Sequence, residues 1–213
     1  MGTTKEGHPL FARFYERMLA GTERAGLEQL RRSLLVHARG RALEIGAGTG
    51  LNLPHYGVSV TSLVLAEPDP HMAARLRDRL ETEGSAPSEI SVIEAGAEQL
   101  PFDDGSFDTV VSTLVLCTVQ DPARALAEVK RVLVPGGALL FIEHVRGDSH
   151  RLARWQDRLD RPWGWFAGGC HPNRPTPDSI ADAGFQIEQL ERGEMPKAPP
   201  LVRPVIRGIA RRP

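Results

Sequence analysis

The stretch Ala42-Leu43-Glu44-Ile45-Gly46-Ala47-Gly48-Thr49-Gly50 decides the fold. An apolar strand runs straight into a turn with glycine at every second position, and the acidic Glu44 stands two places ahead of the first glycine. Glycines let a backbone turn sharply and approach a ligand that a Cβ would exclude. Such a turn, with the helix N-terminus that follows it, presents N–H groups to an anionic group. The dinucleotide fingerprint spaces its glycines G-x-G-x-x-G. Here they fall at 46, 48 and 50, which makes a different loop and argues against a nicotinamide oxidoreductase.

Outward from this turn, strands and helices alternate. Upstream, Leu10, Phe11, Phe14, Leu19, Leu27, Leu30 and Leu34 recur at helical intervals, and the glycines at 21 and 26 divide residues 9–38 into two helices. Downstream, the β-branched run 58–66 reads as a buried strand, and Met72, Leu76 and Leu80 give the next helix an inward face. Residues 90–94 and 108–116 are further strands. Asp121-Pro122 caps and starts a helix faced by Leu126, Val129 and Leu133, and Pro135-Gly136-Gly137 stops it. Residues 138–145 are the next buried strand.

From 146 to 178 the alternation is lost. This stretch holds Trp155, Trp163 and Trp165 and reads as an irregular lid or pocket wall. Residues 179–184 resume as helix, 185–190 as strand, and 202–210 as a final edge strand. Alternating strands and helices predict an α/β fold with a mostly parallel, doubly wound sheet covered by helices on both faces.

The composition narrows the function. A chain of 213 residues fits one domain, here 1–213, with a helical cap over 1–39, a core over 40–145 and a substrate-side insert with the last strands over 146–213. A net charge of −1 offers no basic face for nucleic acid. Two cysteines, Cys117 and Cys170, have no zinc spacing and are too few for a disulfide scaffold, so no metal is expected and the setting is reducing and cytoplasmic. No apolar run approaches bilayer-spanning length.

Ligands of such sheets bind at the carboxyl ends of the strands, so the candidate residues are those at strand ends. Glu44 and the glycine loop end the first strand. Glu67, nineteen residues after Gly48, ends the second and can accept both hydroxyls of a ribose diol. His144 ends the fifth and is the best-placed proton acceptor; His171, beside Cys170, is a second.

The E-x-G-x-G-x-G loop resembles motif I of the class I S-adenosylmethionine-dependent methyltransferases. Four further blocks follow in the family's order: Glu67-Pro68, Gly96-Ala97-Glu98-Gln99-Leu100-Pro101-Phe102, Asp104-Gly105-Ser106-Phe107-Asp108, and the helix ending at Pro135-Gly136-Gly137. The resemblance implies a Rossmann-like seven-stranded sheet with an antiparallel last strand, and S-adenosylmethionine as cofactor. It assigns the amino acid end of that cofactor to Glu44, Gly46, Ala47, Gly48, Gly50, Asn52, Ser112, Thr113 and Leu114. The ribose goes to Glu67 and Pro68, and the adenine to Ala97, Glu98 and Leu100. Asp108 is given a structural part.

Outside the core, the strings 112–117 and 143–145, Trp155-Gln156, Gly169-Cys170 and 201–204 resemble a methyltransferase-like subgroup that includes thiol S-methyltransferases. This implies a small-molecule acceptor enclosed by Phe14, Tyr15, Cys117, Trp155, Cys170 and His171, with His144 catalytic. Oxygen, nitrogen and carbon acceptors, and a non-catalytic cofactor-binding protein, are the alternatives.

Overall fold

The computed structural model describes residues 16–213 apart from 18, 84–86 and 88. Its strands are β1 (Gly40–Ile45), β2 (Val60–Ala66), β3 (Glu89–Ile93), β4 (Phe107–Thr113), β5 (Leu133–His144), β6 (Gln186–Glu194) and β7 (Pro204–Arg211). They form one sheet in the order β3-β2-β1-β4-β5-β7-β6. All neighbours from β3 to β5 pair parallel; β7 runs antiparallel to both β5 and β6. The strand order reverses between β1 and β4, so the crevice that binds ligands in such sheets opens there.

Helices α1 (Glu28–Leu35), α2 (Pro70–Glu83), α3 (Pro122–Val132), α4 (His150–Phe166) and α5 (Thr176–Asp182) cover the sheet. One core packs Leu34, Leu35 and Leu76 on Leu63, Leu65, Leu140 and Ile142. The other packs Leu126, Val129 and Ile180 on Ile45, Val110, Phe141 and Ile206. The exposed Asp121 caps α3 ahead of Pro122, its side chain accepting from Arg124 N at 3.0 Å.

Three sequence expectations are corrected. The last strand is not an edge: β7 sits between β5 and β6, and the exposed β6 takes the edge. The α3 helix ends at Val132, with Leu133 already extended, so Pro135-Gly136-Gly137 lies inside β5, opposite the register shift near Asp108, rather than at the helix stop. Residues 146–178 are not irregular throughout: α4 runs for 17 of them and contains Pro162, leaving 167–175 irregular. The interruption expected between Gly21 and Gly26 falls at Gly26, which takes φ +148° inside the π-turn Glu23–Leu27.

Candidate active site

The glycine loop leaves β1 with Gly46, Gly48 and Gly50 all at positive φ. At Gly46 there is a second demand: a Cβ there would meet Val115 at 2.6 Å, so only glycine lets the loop beyond β4 close against it. The loop's N–H groups are not all free. Ala47 N donates to Ala66 O at 3.0 Å, Gly50 N to Ala47 O at 3.0 Å, and Gly48 N to Glu67 Oε2 at 2.8 Å. Glu67 Oε1 accepts from Asp69 N at 2.9 Å. Each carboxylate oxygen thus keeps accepting capacity for a diol. Burial pushes the Glu67 pKa up, against the two backbone N–H donors.

Beneath the loop, Glu44 is almost fully buried and accepts from Tyr56 OH at 2.7 Å and Asn52 Nδ2 at 2.9 Å. Asn52 Nδ2 also reaches Thr113 Oγ1 at 3.0 Å, while its Oδ1 accepts from Arg31 Nη1 at 2.9 Å. Arg31 in turn pairs with Glu23 at 2.9 Å. Burial raises the Glu44 pKa to about 7 despite these donors and Arg31. Tyr56, Arg31 and this network carried no signal in the sequence, because each partner is distant along the chain.

The loop beyond β4 is held by a residue that sequence reasoning passed over. Glu143, fully buried in β5, accepts from Ser112 Oγ at 2.6 Å, Val115 N at 3.1 Å and Cys117 N at 3.3 Å. Arg174 holds the same loop from the other side, donating to Leu116 O at 2.5 Å and Val119 O at 2.7 Å. Between them Leu114 takes φ +60°, a costly conformation for a residue with a side chain. The strain sits where β4 leaves the sheet, beside the glycine loop.

Toward the adenine segment, Ala97 is buried, while Glu98 Oε1 accepts from Gln120 N at 2.8 Å and Leu100 N donates to Glu128 Oε2 at 2.9 Å. Pro68 follows Glu67 at the turn into α2, on the exposed side. Asp108 plays a structural part, accepting from Arg41 N at 2.8 Å through Oδ2.

On the far side of the β4 loop lie Cys117 and Cys170, both buried, with sulfurs 3.9 Å apart. His171 N donates to Cys117 O at 2.7 Å, and its Nδ1 lies 2.9 Å and 3.0 Å from the two Asp160 oxygens. Trp163 packs against this cluster, whereas Trp155 turns outward and is half exposed. His144 is buried, and desolvation lowers its pKa to about 4 against the carbonyls of Val202 and Pro204. Phe14 and Tyr15 lie outside the described residues.

Three buried side-chain polar atoms lack a partner among the described residues: Thr49 Oγ1, His144 Nδ1 and Trp163 Nε1. Buried polar groups are normally paired. Thr49 belongs to the glycine loop itself, and the loop with the carboxylates of Glu67 and Glu44 fits a ligand with a diol and a cationic amine. A surface cleft of about 600 Å³ lies between α3 and α5 and is lined by none of these residues. Strand-end geometry outweighs its size, because the switch point is where this sheet presents its N–H groups and carboxylates.

The model of the methyltransferase-domain family matches residues 43–141. Human thiol S-methyltransferase TMT1A is 34% identical over 203 residues, spanning 94% of this chain and 82% of that protein. Human thiol S-methyltransferase TMT1B is 39% identical over 157 residues, spanning 72% of this chain and 63% of that protein, a little under two thirds of its length. The crystal structure of an S-adenosylmethionine-dependent methyltransferase of Thermotoga maritima superposes with a TM-score of 0.67 at 25% identity, covering 97% of this chain and 100% of that one. The seven-stranded order, the glycine loop with Glu67, and a relative matched over nearly the whole chain lead to one conclusion: this chain belongs to the class I S-adenosylmethionine-dependent methyltransferases.

Proposed function

We propose that the chain methylates the sulfur of a small thiol. The observation that carries this reading is the likeness to human thiol S-methyltransferase TMT1A over 94% of the chain, which extends past the cofactor core to the acceptor side. Bound S-adenosylmethionine supplies an electrophilic methyl on a sulfonium, so the chain's task is to align an acceptor. Alignment alone contributes on the order of 7–11 kcal/mol.

Glu67 and Pro68 hold the ribose, and Ala97, Glu98 and Leu100 border the adenine. Gly46, Ala47, Gly48, Gly50, Asn52, Ser112, Thr113 and Leu114 enclose the amino acid end, with Glu44 facing its ammonium. Cys117, Cys170, Trp163 and His171 form the acceptor wall; Trp155 faces away from it.

A thiol asks little of a base, since it ionises near a pH of about 8.5 unaided. His144, titrating near 4, is protonated about one time in a thousand at neutral pH. It serves as a neutral hydrogen-bonding wall. His171, oriented by Asp160 through Nδ1, accepts the proton at Nε2.

The test is a screen of small thiols, phenols and amines for turnover to S-adenosylhomocysteine. Turnover of thiols well ahead of the other classes is expected. Transfer to phenols or amines with thiols inert rejects the assignment.

A further inference from the structure

The α4 helix leaves the carboxyl end of β5, on the same rim of the sheet as the site, and presents two stripes that have no partner among the described residues. One is apolar. Trp155, Leu159, Pro162 and Phe166 recur at i, i+4, i+7 and i+11, which is one face of a helix, and Trp165 lies beside them. Their exposure is large: 48% for Trp155, 37% for Leu159, 65% for Phe166 and 90% for Trp165. Four of the seven exposed large hydrophobics among the described residues belong to this one helix. A contiguous patch of that kind marks an interaction surface.

The second stripe is basic. Arg151, Arg154, Arg158 and Arg161 are all exposed and flank the apolar residues. None of the four makes an ion pair among the described residues, because the helix's acids are committed elsewhere: Asp157 to Arg146 at 2.6 Å, Asp160 to His171. The helix cannot roll its apolar stripe inward. Buried Gln156 fixes it, accepting from Gly147 N at 2.8 Å and donating to the carbonyls of Val145, Pro172 and Leu201.

We propose that the outer face of α4 docks the protein on a bilayer surface carrying anionic lipid, with the helix lying in the plane of the headgroups. No described helix is long and apolar enough to cross a membrane. A helix with aromatic residues on one face and arginines along its flank matches the interfacial mode. Tryptophan rings take the headgroup depth, and guanidinium groups pair lipid phosphates bidentately. A second copy fits less well, since a two-fold contact through this face would oppose two arginine stripes. Docking turns the carboxyl-end rim toward the lipid, whatever the acceptor is.

The experiment is co-sedimentation of the full chain with vesicles of phosphatidylcholine alone, and with a third of that lipid replaced by phosphatidylglycerol. Binding to the second alone, a blue shift of tryptophan emission and loss of binding at high salt are expected. Arg154→Gln and Arg158→Gln should each weaken binding about fivefold. Trp165→Ala with Phe166→Ala should weaken it about tenfold or more. All four side chains are exposed, so thermal unfolding of the variants should stay at the wild-type value. No binding to either vesicle, equal binding to both, or full binding by both sets of variants overturns the proposal. So does tighter binding to polyglutamate than to anionic vesicles, which gives the face to an acidic protein, or a dimer that Trp165→Ala dissociates.

Discussion

Glu67 does two things at once. Its oxygens brace the glycine loop through Gly48 N and the following turn through Asp69 N, and the lone pairs left over are the ones proposed to hold the ribose diol. Truncating the side chain to a methyl group removes both. Glu67→Ala should therefore weaken S-adenosylhomocysteine binding by at least about tenfold, the loss of charge-assisted hydrogen bonds. Circular dichroism should stay unchanged. Calorimetry showing wild-type affinity would remove Glu67 from the ribose site. The spacing from Gly48 made this carboxylate legible in the sequence; its grip on the loop backbone was not, because a hydrogen bond across two strand ends leaves no local pattern.

Among the elements, β5 illustrates how much a strand can conceal. Residues 138–145 read as an almost continuous apolar run, and Glu143 within it looks like an interruption. In the fold it is the anchor of the neighbouring β4 loop, and burial pushes its pKa up against the hydrogen bonds it accepts. Glu143→Gln replaces an accepting oxygen by a donating amide where two backbone N–H groups and a hydroxyl already point. Leaving one such buried group unsatisfied costs about 1–3 kcal/mol. A melting temperature lower by about 2–12 °C is expected, with turnover reduced more than cofactor affinity. A variant with wild-type melting and turnover would show that the loop is held by Arg174 alone. The α4 helix was hidden for a different reason. Helical periodicity is recognised by one apolar face against a polar one, and α4 carries apolar residues on both, inward at Ala153 and Trp163 and outward at Trp155 and Phe166. With Pro162 and Gly164 added, the stretch looks irregular until packing separates the two faces.

For the molecule as a whole, pH stability reports on how many ionisable groups the fold has buried. His144 in the folded chain holds its proton less tightly than in the unfolded chain, its pKa falling from 6.5 to about 4. Its contribution to stability is fully present above 6.5 and is lost as pH falls through about 4. Glu44 acts in the opposite sense: with its pKa raised from 4.5 to about 7, its contribution is present below 4.5 and is lost as pH rises through about 7. His144→Asn isolates one of the two. Relative to wild type, the variant should gain about 2 kcal/mol in urea unfolding on going from pH 7 to pH 5; an unchanged difference would mean that His144 is not desolvated. The sequence by itself determined the cofactor half of this protein. The glycine spacing, Glu67 nineteen residues after Gly48 and the alternation of strands and helices are short-range features, dictated by backbone conformation and by the period of burial. The tertiary structure alone decided the rest. The strand order placed β7 inside the sheet, a buried relay joined Arg31, Asn52, Glu44 and Thr113, Cys117 met Cys170 across 53 residues, and α4 turned an aromatic and arginine face outward. Those contacts join residues far apart in the chain, and their free energy comes from desolvation and packing that exist only once the layers have closed.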